Sequence, residues 1–189
     1  DVTKYDNPEK SFALSHYVGK RWGEIWGYRT DGLFDSDEEA AAWPVDQSMI
    51  NQAINSAAGD QRGLHGGDVK FKDLDGDNKI TLGQNTVNNP GDREVIGNTE
   101  PRFNYGANLG FQWLGIDFSI FFQGIGKMDW YPQTNTLLFW GPYARPYATL
   151  IPKDFHTMIW SEDNKDAYYP RPRGYAALGS NRELTVNND

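Results

Sequence analysis

The sequence predicts an all-β fold that contains a membrane-spanning antiparallel hairpin, and three observations indicate it. Residues 101–126 alternate between large apolar and small or polar side chains on both sides of a two-residue turn. A very long connection follows this hairpin, whereas its turn is short, as in barrels of the outer membrane. Trp, Tyr and Phe number 7, 10 and 10 in 189 residues, more than a soluble core requires.

The alternation is regular enough to predict the register of the hairpin. If Leu114-Gly115 forms the turn, Trp113 lies opposite Ile116, and Gly115 supplies the positive φ that such turns need. Both strands are therefore expected to place every large apolar side chain on one side of the sheet. The apolar row comprises Phe103, Tyr105, Ala107, Leu109, Phe111, Trp113, Ile116, Phe118, Ile120 and Phe122. The opposite row comprises Asn104, Gly106, Asn108, Gly110, Gln112, Asp117, Ser119 and Gln123.

The segments before the hairpin are shorter and less regular. Residues 17–34 indicate a strand, a turn at Asp31-Gly32 and the start of a second strand. Residues 35–42 predict a helix that Ser36 caps, with Glu39 completing a capping box. A second, weaker helical window covers residues 46–58. Short strands are expected at 68–72 and 93–96, and a loop rich in Gly, Asn and Pro between them.

After the hairpin, Pro152 in a first turn and apolar residues at helical spacing predict a short amphipathic helix over residues 153–160. The chain therefore divides into five parts. They are barrel strands and a turn (1–34), an extracellular loop with short helices (35–66), short strands with an acidic calcium-like loop (67–100), the transmembrane hairpin (101–126) and a long extracellular loop with one short helix (127–189).

Composition excludes several function classes. The formal net charge is −8 and the basic residues are scattered, which argues against nucleic acid as a partner. The chain has no cysteine, so disulfides, thiol catalysis and Cys-ligated metals are excluded. His16, His65 and His156 lie far apart and are interpreted as ordinary surface or loop residues. The chain lacks an initiator Met and a closing element, so we expect a piece of a longer protein.

The acidic run that starts at Asp73 has the spacing of a calcium loop. Asp73, Asp75 and Asp77 occupy positions one, three and five, Lys79 occupies position seven, where a backbone carbonyl coordinates the ion, and Ile80 position eight. Asn78 replaces the glycine of position six, and Gln84 replaces the acid of position twelve. Asp92 can supply the missing carboxylate. A structural Ca²⁺ site is one interpretation, and a solvated acidic turn is the other.

Exposed aromatic side chains of the last segment are candidates for substrate binding. Aromatic rings stack on sugars, and the alternative is that these rings pack on one another to hold a long loop. The candidates are Trp130, Tyr131, Trp140, Tyr143 and Tyr147. No nucleophile motif, phosphate-binding loop or paired catalytic carboxylates stand out, so the sequence predicts no enzyme.

Several motifs resemble the SusC/RagA type of TonB-dependent outer-membrane transporters. They are GYRTDGLF at 27–34, GDVKFKDLDGDNKI at 67–80, DREVIGNTEPRFNYGANLGFQWLGIDFSIFFQGIG at 92–126 and YYPRPR at 168–173. The resemblance implies that the chain is a late fragment of a large plugged transmembrane antiparallel β-barrel of about 22 strands. It also implies localisation in the outer membrane, energy coupling through TonB by upstream parts, a SusD-like surface lipoprotein and an oligosaccharide or peptide ligand.

Two alternatives from other classes remain at this point. One is a secreted, calcium-stabilised β-domain that binds carbohydrate, in which the hairpin would pack on a second sheet. Outside 101–126 the chain offers few alternating strands for such a sheet. The other is a fragment of a glycoside hydrolase, which would lose turnover when one or two carboxylates are changed.

Overall fold

The computed structural model describes residues 1–50, 62–130 and 151–172. These ranges contain β1 (Glu24–Tyr28), β2 (Thr30–Leu33), α1 (Asp37–Ala42), β3 (Val69–Phe71), β4 (Arg93–Asn98), β5 (Phe103–Trp113), β6 (Ile116–Gly126) and a 3₁₀ turn, Phe155–Thr157. The strands form three antiparallel pairs, β1–β4, β2–β3 and β5–β6. The fold is therefore all-β, and no barrel closes within the described ranges.

A small apolar core holds the pairs β1–β4 and β2–β3 together. We call these two pairs, with the described residues that connect their strands, the loop body. Tyr28 of β1, Val69 and Phe71 of β3 and Ile80 are buried in it. The chain passes from the β1–β4 sheet to the β2–β3 sheet at Arg29, between β1 and β2. Burial of each large apolar side chain contributes about 1.5–3 kcal/mol relative to exposure. The core thus fixes the two short sheets against each other.

The helix α1 begins where the sequence predicts. The hydroxyl of Ser36 accepts the N–H of Glu39 at 3.3 Å, and the Glu39 carboxylate accepts the N–H of Asp35 at 2.7 Å. Three acidic residues in the first turn interact favourably with the helix dipole. Among the described residues, no helix is long and apolar enough to cross a membrane.

Two local predictions are wrong. Asp31-Gly32 lies inside β2, where Gly32 adopts a φ of +91° and the pairing with β3 is irregular, so the expected turn is a bulge. Over 153–160 only a 3₁₀ turn forms. Ile159 instead bridges Tyr169, and the N–H of Trp160 donates to the Tyr169 carbonyl at 2.9 Å, so extended pairing prevails over helical spacing.

The second helical window lies mostly outside the described residues. Its described part, 46–50, is a bridge followed by a turn. The N–H of Asp46 donates to the Asn78 carbonyl, and the Asp46 carbonyl accepts the N–H of Ile80, both at 2.9 Å. These bonds to the acidic loop occupy the backbone groups that a helix would need.

Residues 151–172 are fastened to the loop body at Gly66-Gly67. The ring of Trp160 lies so close to both glycines that a Cβ at either position would crowd it. Arg171 donates its N–H to the Gly67 carbonyl at 2.9 Å and its guanidinium to the Gly66 carbonyl at 3.1 Å. The segment that follows the hairpin therefore packs on the segment that precedes it.

Candidate functional site

The hairpin has the register that the sequence predicts. Trp113 pairs with Ile116, and eleven rungs run without a break to Phe103 and Gly126. Leu114 and Gly115 both adopt positive φ, +48° and +82°. Two such residues match the right-handed twist of the flanking strands, which makes this connection a tight and well-defined turn. We call this the turn end of the hairpin and the other the open end.

One face of the hairpin is a large exposed apolar surface. Its side chains are between 46% and 65% exposed: Phe103, Tyr105, Leu109, Phe111, Trp113, Ile116, Phe118 and Phe122. A soluble monomer rarely exposes a contiguous apolar surface of this size. The face therefore requires an apolar partner.

The separation of the two faces is incomplete, contrary to the sequence prediction that every large apolar side chain shares one face. The register places Phe121 opposite Asn108 and Ile125 opposite Asn104, on the polar face. The Phe121 ring lies over Gly106, with 3.4 Å between that ring and the position of a Cβ there. Two apolar side chains thus interrupt an otherwise polar row.

Cross-strand contacts between rings and glycines stiffen the apolar face. The Tyr105 ring lies directly against Gly124, where any Cβ would overlap it, whereas a Cβ at Gly126 would meet Phe103 only at an ordinary contact distance of 3.4 Å. Near the turn end, the rings of Phe111 and Phe118 stack at a centroid distance of 5.0 Å. Such cross-strand pairs each contribute about 0.2–1 kcal/mol.

The length of the hairpin suits a bilayer. Each strand has 11 residues, which span about 34 Å along the strand at about 3.4 Å per residue. A tilt of about 45° reduces this to roughly 24 Å, close to the height of about 25 Å of the apolar band of outer-membrane barrels. Aromatic residues stand at both ends of the apolar face, as in the girdles of such barrels.

The loop body is joined to the open end of the hairpin. The N–H of Thr99 donates to the Gly23 carbonyl at 2.8 Å, and the N–H of Asp129 donates to the Asn98 carbonyl at 2.9 Å. The Asp129 carboxylate returns a contact by accepting the N–H of Asn98 at 2.8 Å. β4 therefore continues towards β5, and the short turn lies at the opposite end.

A cluster of carboxylates forms at the acidic loop. Ligand oxygens of Asp73, Asp75 and Asp92 all lie within 4.8 Å of one another. Asp92 is fully buried, and its two oxygens accept the N–H groups of Leu74 at 2.8 Å and Thr81 at 2.7 Å. The buried Asp92 carboxylate thus joins the start of the acidic loop to its end.

Backbone hydrogen bonds to one carboxylate hold the acidic loop in a tight turn. Asn78, at position six, adopts a φ of +62°, which Asn tolerates better than most residues. The Asp73 carboxylate accepts the N–H groups of Gly76 at 2.7 Å and Asn78 at 2.8 Å. Ile80 is buried in the core and anchors the end of the loop.

The negative charges of the cluster repel one another. The N–H of Asp77 lowers the pKa of Asp75, but desolvation and repulsion from Asp92, Asp77 and Asp73 outweigh it, so the pKa of Asp75 lies above its ordinary value. For Asp73 the net effect is the opposite. Desolvation raises its pKa, but the backbone hydrogen bonds together outweigh desolvation, so the pKa of Asp73 lies below its ordinary value. The cluster therefore gathers carboxylate oxygens whose negative charges repel one another.

Two predicted ligands lie beside the cluster. The Asp77 carboxylate accepts the N–H of Lys79 at 2.7 Å, and both residues are exposed. Asp77 does not belong to the group of three carboxylates. The structure therefore brings together three of the four carboxylates that the sequence singles out for a metal, and the fifth predicted ligand is the backbone carbonyl of Lys79.

Of the aromatic candidates, Trp130 is 68% exposed and follows directly after Asp129. Tyr131, Trp140, Tyr143 and Tyr147 lie outside the described residues. Among the histidines, His65 contacts a carboxylate, with 3.2 Å between its Nδ1 and Oδ2 of Asp37. The hydrogen bond from the N–H of Gly66 lowers the pKa of Asp37, and the contact with His65 lowers it further by a smaller amount.

Gln47 and Tyr28 lie near the acidic loop, and no pattern in the sequence singles them out. Gln47 is buried and brackets β3, donating to the Val69 carbonyl at 2.8 Å and accepting the N–H of Phe71 at 3.2 Å. Burial raises the pKa of Tyr28. The charge of Arg93 lowers this pKa and that of Asp92 raises it, both to a smaller extent than burial does. Only the folded packing brings these side chains to the loop.

The described structure is all-β, and one face of the hairpin β5–β6 exposes a large apolar surface. The chain is similar to the TonB-dependent receptor P39 of Formosa agariphila, with 30% identity over 137 residues. The similarity covers 61% of this chain and 12% of that receptor, so the chain spans a small part of this relative's length. No protein-family model matches the chain. The similarity supports a relationship of this chain to the TonB-dependent receptor family.

Proposed function

We propose that this chain is a late barrel segment of a SusC-like TonB-dependent importer in the outer membrane. The observation that carries the proposal is the hairpin β5–β6, with its exposed apolar face, two-residue turn and membrane-matched length. The similarity to a TonB-dependent receptor favours transport over catalysis. On this proposal the turn end is periplasmic and the loop body is extracellular.

The proposed cargo is an oligosaccharide or a peptide, and the proposed partners are TonB and a SusD-like surface lipoprotein. The SusC/RagA-like motifs around 27–34, 67–80 and 92–126 support this more specific assignment. Exposed Trp130 stands at the open end of the hairpin, where an aromatic ring can contact a sugar. The other aromatic candidates, which lie outside the described residues, are proposed from the sequence alone.

We further propose that the acidic loop holds a structural Ca²⁺. Asp73, Asp75 and Asp92 would supply carboxylate oxygens, and Asp77 and the Lys79 carbonyl would complete the ligand set. The repulsion within the cluster supports a cation there. Its effect would be to tie the turn after β3 to the residues that lead into β4.

The transport proposal is tested on the full-length protein from its native outer membrane. The expected result is a detergent-dependent particle that co-purifies with a lipoprotein, and loss of uptake of the cargo when TonB is removed. A monodisperse, detergent-free protein would contradict the proposal and favour the secreted carbohydrate-binding domain. Hydrolysis that disappears on changing one or two carboxylates would favour a glycoside hydrolase.

The calcium proposal is tested by calorimetric titration of the full-length protein with Ca²⁺ after chelation. Asp75→Asn should weaken binding, because Asp75 belongs to the cluster and its side chain remains similar in size. Asp31→Asn, an exposed acid of β2, is the matched control and should leave binding unchanged. Absence of a titratable heat, or equal effects of the two substitutions, would leave the solvated acidic turn as the explanation.

A further inference from the structure

One aromatic ring stands on the polar face of the hairpin, halfway between the turn end and the open end. Phe121 pairs with Asn108 in the middle rung of the hairpin, and its side chain is 60% exposed. The ring reaches across to β5 and lies over Gly106, with 3.4 Å between the ring and the position of a Cβ there. Because Gly106 has no side chain, it leaves room for the ring, whose outer side remains open.

Amide side chains border this ring on the same face. Along β5, Asn104 and Asn108 stand on either side of Gly106. On β6, Gln123 is the pairing partner of Gly106. All three amide residues are exposed, and no hydrogen bond within the described part of the chain engages their side chains. Each side-chain amide offers both donors and an acceptor, so the open ring has hydrogen-bonding groups around it.

The polar face around the ring carries no ionisable side chain. The other residues of this face between its ends are Gly110, Gln112, Ser119 and Ile125. Charged residues of the face stand only towards its two ends, with Asp117 near the turn end and Arg102 and Lys127 beyond the open end. A charged ligand group placed at the ring would lose hydration without gaining an opposite charge. Sugar hydroxyls are neutral and both donate and accept hydrogen bonds, so a neutral sugar matches this surface.

We infer that Phe121 stacks on a neutral sugar ring of an oligosaccharide inside the barrel, while Asn104, Asn108 and Gln123 bind its hydroxyls. This inference rests on the proposed function, because in a membrane barrel the face opposite lipid lines the interior. It narrows the proposed cargo from an oligosaccharide or a peptide to an oligosaccharide. The middle rung places the contact about halfway along the height of the hairpin.

The test is calorimetric titration of the full-length protein in detergent with neutral hexasaccharides of glucose, mannose and xylose, and with a mixture of hexapeptides. The parent should bind at least one hexasaccharide. Phe121→Leu keeps an apolar side chain but loses the ring, and should raise the dissociation constant of that hexasaccharide about five- to tenfold. Phe121→Tyr keeps the ring and should retain the affinity of the parent.

The matched control is Phe122→Leu, which removes a ring of similar exposure from the neighbouring residue on the apolar face. It should leave the dissociation constant unchanged. An unchanged dissociation constant in Phe121→Leu would overturn the inference, and a lower melting temperature of that variant would then show that the ring packs on another part of the protein. Binding of the hexapeptides alone, or of neither probe, by a detergent-dependent parent would overturn the inference and leave the proposed membrane location standing. A parent that is monodisperse without detergent would overturn the proposed function, and this inference with it.

Discussion

Replacement of Leu109 by Arg tests the placement of the hairpin most sharply. Leu109 is 59% exposed on the apolar face and pairs with Ile120. It lies six residues from Phe103 and four from Trp113, so at about 3.4 Å per residue and a tilt of about 40° it lies within about 3 Å of the middle of the band. A cation at the bilayer midplane of a lipid-facing barrel position costs about 2–4 kcal/mol.

The assay is guanidinium unfolding of the full-length protein in phospholipid vesicles. Ile116→Arg puts the same charge on the same face at the turn end and should cost about 0–1 kcal/mol, because charges near the interface remain hydrated. Asn108→Arg puts it on the polar face, beside Leu109, and should also cost little. If Leu109→Arg costs no more than these two controls, the apolar face does not contact lipid and the reasoning is refuted.

Three further predictions concern local contacts. Gly124→Val should lower the stability of the barrel by about 1–3 kcal/mol, since its Cβ would overlap the Tyr105 ring, and adding Tyr105→Ala should restore part of the melting temperature. Asp92→Ala should cost the loop body about 2–4 kcal/mol and speed hydrogen exchange of the two amides that Asp92 accepts, whereas unchanged exchange would contradict the closing role of this carboxylate. Ser36→Ala should cost about 1 kcal/mol and speed exchange of the Glu39 amide, and an unaffected amide would show that the cap contributes little.

The sequence predicts the hairpin well because its signals are local. Alternation along residues 103–126 fixes which side chains share a face, and the two-residue turn fixes the register. The helix cap at Ser36 is likewise a local motif, and it forms as expected. Phe121 and Ile125 are the exceptions, because their parity places both on the polar face, and only the pairing with β5 shows that the Phe121 ring covers Gly106.

The sequence predicts the loop body less well because distant contacts decide its structure. Nothing near residue 159 indicates that Ile159 bridges Tyr169, and this pairing displaces the helix expected from apolar spacing. In the acidic loop, spacing identifies Asp73 and Asp75, and the structure adds the buried position of Asp92 beside them. Gln47 reaches β3 only through the fold of the chain, so no pattern could reveal it.

A cysteine scan of residues 106–112 can show whether the hairpin spans the membrane with one face towards lipid, as we claim. The chain has no cysteine, so each new thiol can carry a nitroxide label in the full-length protein once any others are replaced. We predict that accessibility to lipid-soluble oxygen alternates with a period of two and peaks at Ala107, Leu109 and Phe111. Uniform accessibility to a water-soluble relaxation agent along the whole segment would contradict the claim.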